Sequence, residues 1–159
     1  MIKIVEATAK EEVDIAGKLF RQYQEFLGED LCFQGFEQEL ADLPGKYADP
    51  TGAILLAKHA NDYVGCVAVR PLEGDTCEMK RLYVTTQAQG LSAGRLLAEA
   101  IIAKARQLGF KKMQLDTLER LVPALALYKK LGFKRIDSYY ANPLDEVIYL
   151  ELDLTAGKD

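Results

Sequence analysis

Apolar and polar residues alternate from Ile2 to Glu6, the two-residue period of a strand with one covered face. Thr8-Ala9-Lys10-Glu11 then sets Thr and Glu at capping-box spacing. Ala16, Leu19, Phe20, Tyr23, Phe26 and Leu27 follow in steps of three and four, ahead of Gly28. This spacing predicts a helix that starts at Thr8 and stops at Gly28. Phe33, Phe36, Leu40 and Leu43 repeat the pattern more briefly until Pro44-Gly45 ends it, so a second helix is expected. From Gly52 the texture changes. Ala53 to Ala57 and Tyr63 to Val69, joined by the polar His59-Ala60-Asn61-Asp62, read as a hairpin, and a turn at Glu73-Gly74-Asp75 leads into a strand from Cys77 to Val84. Gly94 to Leu108 predicts a helix that buries Leu97, Ile101, Ala105 and Leu108, places Lys104 and Arg106 at its negative end and stops at Gly109. Lys112 to Thr117 is a short strand. Pro123 opens a last helix carrying Leu127, Tyr128 and Leu131, closed by Gly132, and strands over Phe133–Tyr139 and Glu146–Leu154 finish the chain.

The predicted order is β-α-α-β-β-β-α-β-α-β-β: a mixed α/β (α+β) fold with a mostly antiparallel central sheet flanked by helices. At 159 residues, without a repeat, linker or low-complexity tract, residues 1–159 are expected to form one domain. Twenty Lys and Arg against twenty-four Asp and Glu give a formal charge of −4, so no overall positive field gathers nucleic acid or an anionic membrane. Neither partner is expected. Cys32, Cys66 and Cys77 fit neither a disulfide framework nor a Cys-x-x-Cys site and read as reduced core thiols. Charges at Lys3 and Glu6 interrupt any apolar leader, and no run approaches about 18 apolar residues, so a cytoplasmic protein is expected. The single histidine, His59, lies in a polar turn with no second imidazole to complete a metal site; no metal is expected. Gly-x-Ser-x-Gly is absent, which leaves a serine hydrolase without support.

The strand-to-helix passage from Val84 to Arg95 is rich in small residues: Gln89, Gly90, Leu91, Ser92, Ala93 and Gly94. Backbone N–H groups converging there, at the positive end of a helix, could hold a phosphate; an ordinary connecting turn has the same composition. It is not a Walker A loop, because no Gly-Lys-Ser/Thr follows, and it lacks the dinucleotide fingerprint. Gln89, Ser92 and Gly94 stand at the positions of a Gln/Arg-x-x-Gly-x-Gly/Ala signature opening a helix. Ala124-Leu125-Ala126-Leu127-Tyr128-Lys129-Lys130-Leu131-Gly132-Phe133 is similar to an Ala-x-x-x-Tyr-x-x-x-Gly-Phe stretch. On these two motifs the chain resembles the GNAT acetyltransferase superfamily. The specific likeness covers Glu78 to Phe133, and the element order extends it over nearly the whole chain.

The resemblance implies that acetyl-CoA is the cosubstrate and lies where the strands Cys77–Val84 and Lys112–Thr117 splay. Main-chain groups around Leu82, Tyr83 and Val84 would pair with the acetyl and pantetheine amides. The amides of Gln89, Gly90, Leu91, Ser92, Ala93, Gly94 and Arg95 would hold the pyrophosphate. Ser92 stands where the family has glycine, at a position suited to left-handed backbone. Leu121 stands where many relatives have an asparagine that orients the coenzyme arm, and Thr117 or a main-chain group would take over that bond. Glu78, at the offset before Gln89 where one branch of the family carries its base, would accept the amine proton directly or through water. A surface glutamate paired with Lys80 or Arg81 is the plainer alternative. Alternation would put Glu78 on one face with Lys80, Leu82 and Val84. Tyr128 would protonate the departing thiolate, as a phenol of pKa about 10 can.

The acceptor pocket would be built from Tyr23, Leu27 and Phe33 of the first two helices and from Tyr139, Tyr140 and Asn142 of the last hairpin. Such residues suit a small-molecule or peptide amine and are equally common in cores. The expected function is acetyl transfer to a primary amine by direct attack in a ternary complex; a non-catalytic acyl-CoA-binding module and a plain interaction domain are the competing classes. Ile148, Leu150, Leu152 and Leu154 alternate in the last strand, enough to bury one face and to pair with a second copy as a homodimer.

Overall fold

A computed structural model of the chain describes residues 1–29, 31 and 35–155. Its strands are β1 (Ile2–Glu6), β2 (Ala53–His59), β3 (Asp62–Pro71), β4 (Thr76–Val84), β5 (Lys112–Leu118), β6 (Lys134–Ile136) and β7 (Val147–Asp153). The α-helices are α1 (Lys10–Leu27), α2 (Phe36–Asp42), α3 (Ala93–Gln107) and α4 (Val122–Lys130), and single 3-10 turns lie at Gly45–Tyr47 and Thr86–Ala88. The strands form one sheet in the order β1-β2-β3-β4-β5-β7-β6, antiparallel at every junction except the parallel β4–β5 pair.

Both faces of the sheet are covered, which explains why β2 and β3 read as nearly continuous apolar runs. Leu97, Ile101 and Ala105 of α3 pack with Val67, Val69, Met79 and Met113 on one face. Phe20, Leu19 and Ala16 of α1 and Phe36 of α2 pack with Ile54, Leu56, Cys66 and Ala68 on the other. Lys104 in the last turn of α3 pairs with Glu6 of β1 at 3.2 Å, and the Arg106 Nε donates to the Leu154 carbonyl at 2.9 Å.

Three sequence expectations need correction. Helix α1 begins after Ala9, not at Thr8; the Glu12 carboxylate accepts from the Thr8 and Ala9 N–H groups at 3.2 and 3.1 Å, so the acidic half of the cap is Glu12 rather than Glu11. The strand expected over Phe133–Tyr139 shrinks to Lys134–Ile136, because Tyr139 and Tyr140 turn their hydroxyls onto the Glu78 and Asp116 carboxylates instead of continuing the ladder. The third correction concerns β4. Its pairing with β3 slips between Cys66 and Ala68, opposite Arg81, whose φ is +63°. This bulge inserts one residue and reverses the alternation beyond it. Cys77 and Met79 before the bulge share the α3 face with Leu82 and Val84 after it, while Tyr83 joins the α1 face. Glu78 and Lys80 therefore lie opposite Leu82 and Val84 rather than beside them.

Candidate active site

Strands β4 and β5 pair only over Thr76–Glu78 and Lys112–Gln114. Beyond Glu78 they part, and a cavity of about 560 Å³ opens in the gap. Leu82, Tyr83 and Val84 form one wall, Leu115, Asp116 and Thr117 the other, and Leu127 and Tyr128 of α4 close one side. Tyr23 and Leu27 of α1 line its opposite end. The Arg120 guanidinium donates to the Leu27 carbonyl and lies 3.4 Å from Glu29, tying the β5–α4 loop to the end of α1, where Gly28 turns the chain at φ +68°.

The start of α3 forms the outer wall through Gln89, Gly90, Ser92, Ala93 and Gly94. Gly90 has φ +88°, a conformation that costs a glycine little. Ser92 also adopts left-handed backbone, φ +65°, although its Cβ disfavours it, so the departure from glycine leaves the turn's shape intact. Its side chain makes no capping bond, and the first-turn N–H groups of α3 have no intrahelical acceptor. Such donors, at the positive end of a fifteen-residue helix, fit a diphosphate. Leu91 is exposed, and Arg95 pairs with Glu99 at 3.2 Å; neither lines the cavity. Leu121 lines it beside Thr117, which is buried.

Tyr128 is buried, its ring edge-on to Phe133 at 5.5 Å, and burial pushes its pKa up. Its hydroxyl has no hydrogen-bond partner among the described residues. Burial likewise pushes Tyr23 up to about 12.

Glu78 lies elsewhere. A second cavity of about 500 Å³, on the α2 side of the sheet, is lined by Glu39, Asp42, Arg70, Glu78, Tyr139 and Tyr140 among others, and Glu78 lines this one rather than the first. Its side chain is 1% exposed; the Arg70 Nε donates to Oε1 at 2.8 Å, and the Tyr139 hydroxyl to Oε2 at 2.6 Å. Burial alone would raise its pKa, but the charge of Lys80, the Tyr139 bond and Arg70 outweigh it and hold the carboxyl below the usual range. The Tyr140 hydroxyl and the Asn142 amide donate to Asp116 at 2.6 and 3.1 Å. Tyr139, Tyr140 and Asn142 thus lie together, with their polar ends bonded to Glu78 and Asp116. Phe33 lies outside the described residues.

The sequence reading missed Lys80 as a lining residue, along with Arg70, Asp116 and the Arg81–Glu39 pair. Arg81 is 3% exposed, and its guanidinium donates to both Glu39 oxygens, at 3.0 and 2.7 Å, above the Phe36 ring. Alternation on β4 hinted at Lys80. The bulge at Arg81 carried no such hint, because arginine is not a residue that marks left-handed backbone. Among the described residues, no three His, Cys, Asp or Glu side chains cluster as a metal site, and no helix is long and apolar enough to cross a membrane.

The sequence profile described as the acetyltransferase (GNAT) family matches residues 18–133. An uncharacterized N-acetyltransferase of Schizosaccharomyces pombe is 41% identical over 156 residues, covering 97% of this chain and 96% of its own. A GNAT-family acetyltransferase of Staphylococcus aureus superposes with a TM-score of 0.79 at 18% identity, over 97% of this chain and 99% of its own. One from Elizabethkingia anophelis, solved with acetyl-CoA bound, gives 0.61 at 23% identity, over 96% and 97%. The chain belongs to the GNAT acetyltransferase family. It is an N-acetyltransferase.

Proposed function

We propose that the protein, acting as one domain over residues 1–159, acetylates a primary amine of a small molecule or peptide by direct attack in a ternary complex. The observation that carries this reading is the cavity between the parted strands, with uncapped helix N–H groups at its outer end and the Tyr128 hydroxyl on its wall. Acetyl-CoA supplies the thioester carbonyl. The N–H groups from Gln89 to Arg95 hold the diphosphate, and the main chain of Leu82, Tyr83 and Val84, with Thr117, orients the pantetheine arm. Tyr128, kept protonated by burial, gives its proton to the departing sulfur.

The acceptor enters from the α1–α2 side, against Tyr23, Leu27 and the Tyr139–Tyr140–Asn142 cluster. Glu78 supplies the negative end of the route that removes the amine's proton. Cys66 and Cys77 are buried off both cavity walls, and burial pushes the Cys77 thiol up to about 12. This favours direct attack over a thioester carried on the protein. Free thiols suit a cytoplasmic setting. Ile148, Leu150, Leu152 and Leu154 are spent within the chain's own core, so a homodimer would pair along the β6 edge; a solution mass at micromolar concentration checks this.

The test is thiol release from acetyl-CoA over a panel of benzylamine, tyramine, ethanolamine, an α-amino acid and a lysine peptide. Turnover on at least one is expected. Thermal stabilisation by acetyl-CoA with no turnover on amines would instead indicate a binding module.

A further inference from the structure

Lys80 is the one side chain, among the described residues, that lines both cavities. It sits on β4 just before the bulge, where the gap that opens toward Leu82 meets the polar chamber of Glu78, Arg70 and Tyr139. An acceptor nitrogen reaching a thioester in the gap from the α2 side must pass this point. Resting on the acetyltransfer reading above, we propose that the Lys80 amine takes the proton from the acceptor nitrogen, and that Glu78 serves Lys80 instead of touching the acceptor.

Two observations favour Lys80 over Glu78 as the direct acceptor. Both Glu78 oxygens already take hydrogen bonds, from Arg70 and Tyr139, and its carboxylate lies off the wall of the gap. A carboxylate kept below its usual range is also a weak base toward an alkylammonium of pKa about 10.4. Lys80 is different. Its side chain is 9% exposed and stands 3.9 Å from Glu78 Oε1. Arg81 on its own strand and Arg70 on β3 oppose its charge; Glu78 and Asp116 of β5 favour it, and Tyr139, Tyr140, Glu39, Asp42 and Lys46 share the chamber. Burial, then Arg81, push its pKa down to about 8, so about a tenth of the lysine is neutral at pH 7.

The balance is simple. The acceptor nitrogen bonds to the acetyl carbon and gives one proton to the Nζ lone pair; the carbon–sulfur bond breaks, and the thiolate takes a proton from the Tyr128 hydroxyl. Lys80-NH3⁺ is stabilised by Glu78 and Asp116 until it releases its proton to water, and the Tyr128 phenolate takes one back from water, which returns both groups to their starting states.

The experiment compares wild type, Lys80→Met and Lys80→Arg with acetyl-CoA and whichever panel amine the wild type turns over fastest. It also titrates the lysine Cε signals of wild type by carbon-detected NMR, assigning Lys80 by its loss in either variant. Turnover should fall by about 10²- to 10⁴-fold in both variants. Wild-type kcat should rise through pH 8, a limb that both variants lose. Both should keep the thermal shift with acetyl-CoA. Arginine is the deciding variant, because it keeps the charge and cannot act as a base. Near-normal turnover in Lys80→Arg, or a Lys80 signal that titrates above pH 10, overturns the proposal, and the titration decides even if a variant does not fold. Absence of thiol release by wild type with every amine is a separate result: it overturns the acetyltransfer reading, and this proposal with it.

Discussion

At Tyr128, burial keeps the phenol protonated but also makes it a weaker acid, so its donation to the leaving sulfur depends on the thiolate developing in the same apolar setting, which raises the basicity of the sulfur as well. Tyr128→Phe should lower kcat by about 10²-fold or more and leave acetyl-CoA affinity, measured by calorimetry, within a factor of two or so. Glu78→Gln removes the anion facing Lys80 and Arg70. Lys80 then loses a partner that raises its pKa, so the rising limb of the rate profile should move below pH 8 while turnover falls. Glu78 also bears on stability. Its folded pKa is depressed, so its contribution is complete above the unfolded carboxyl value of about 4.3 and is lost as pH falls through the lower folded value. Acid melts of wild type and Glu78→Gln should therefore converge below pH 4.

The bulge in β4 is the element on which the site turns, since it separates the residues facing the coenzyme gap from those facing the acceptor chamber. Arg81 holds it, bonded to Glu39 of α2. Arg81→Met strands a largely buried carboxylate and should cost about 3–5 kcal/mol in denaturant melts. At the start of α3, Ser92→Gly relieves a left-handed serine and should raise stability by roughly 1 kcal/mol without reducing the acetyl-CoA thermal shift. The helices, and β2 to β5, were legible because apolar period and stop residues agree along each of them; Gly28 and Gly109 end their helices as expected. The bulge was not legible, because the bond that holds Arg81 there reaches Glu39 of α2, 42 residues away in sequence. The loss of strand at Tyr139 was hidden for the same reason: Tyr alternates well in a ladder, and its attraction to Glu78 is a tertiary fact.

Across the molecule, a sheet covered on both faces parts at its one parallel junction, giving the coenzyme and the acceptor separate approaches to the same point. Lys80 at that point has a folded pKa near 8, below the unfolded value of about 10.4. The unfolded chain then binds the extra proton between those values, so wild type should gain stability relative to Lys80→Met as pH rises from 8 to about 10.4, read by thermal melts. Where the coenzyme sits decides between these readings, and a crystal structure with acetyl-CoA shows it. Diphosphate density against the N–H groups of Gly90 to Gly94, with the thioester between Leu82 and Tyr128, is the predicted result. Density at another site, or an empty gap at saturating acetyl-CoA, would contradict it.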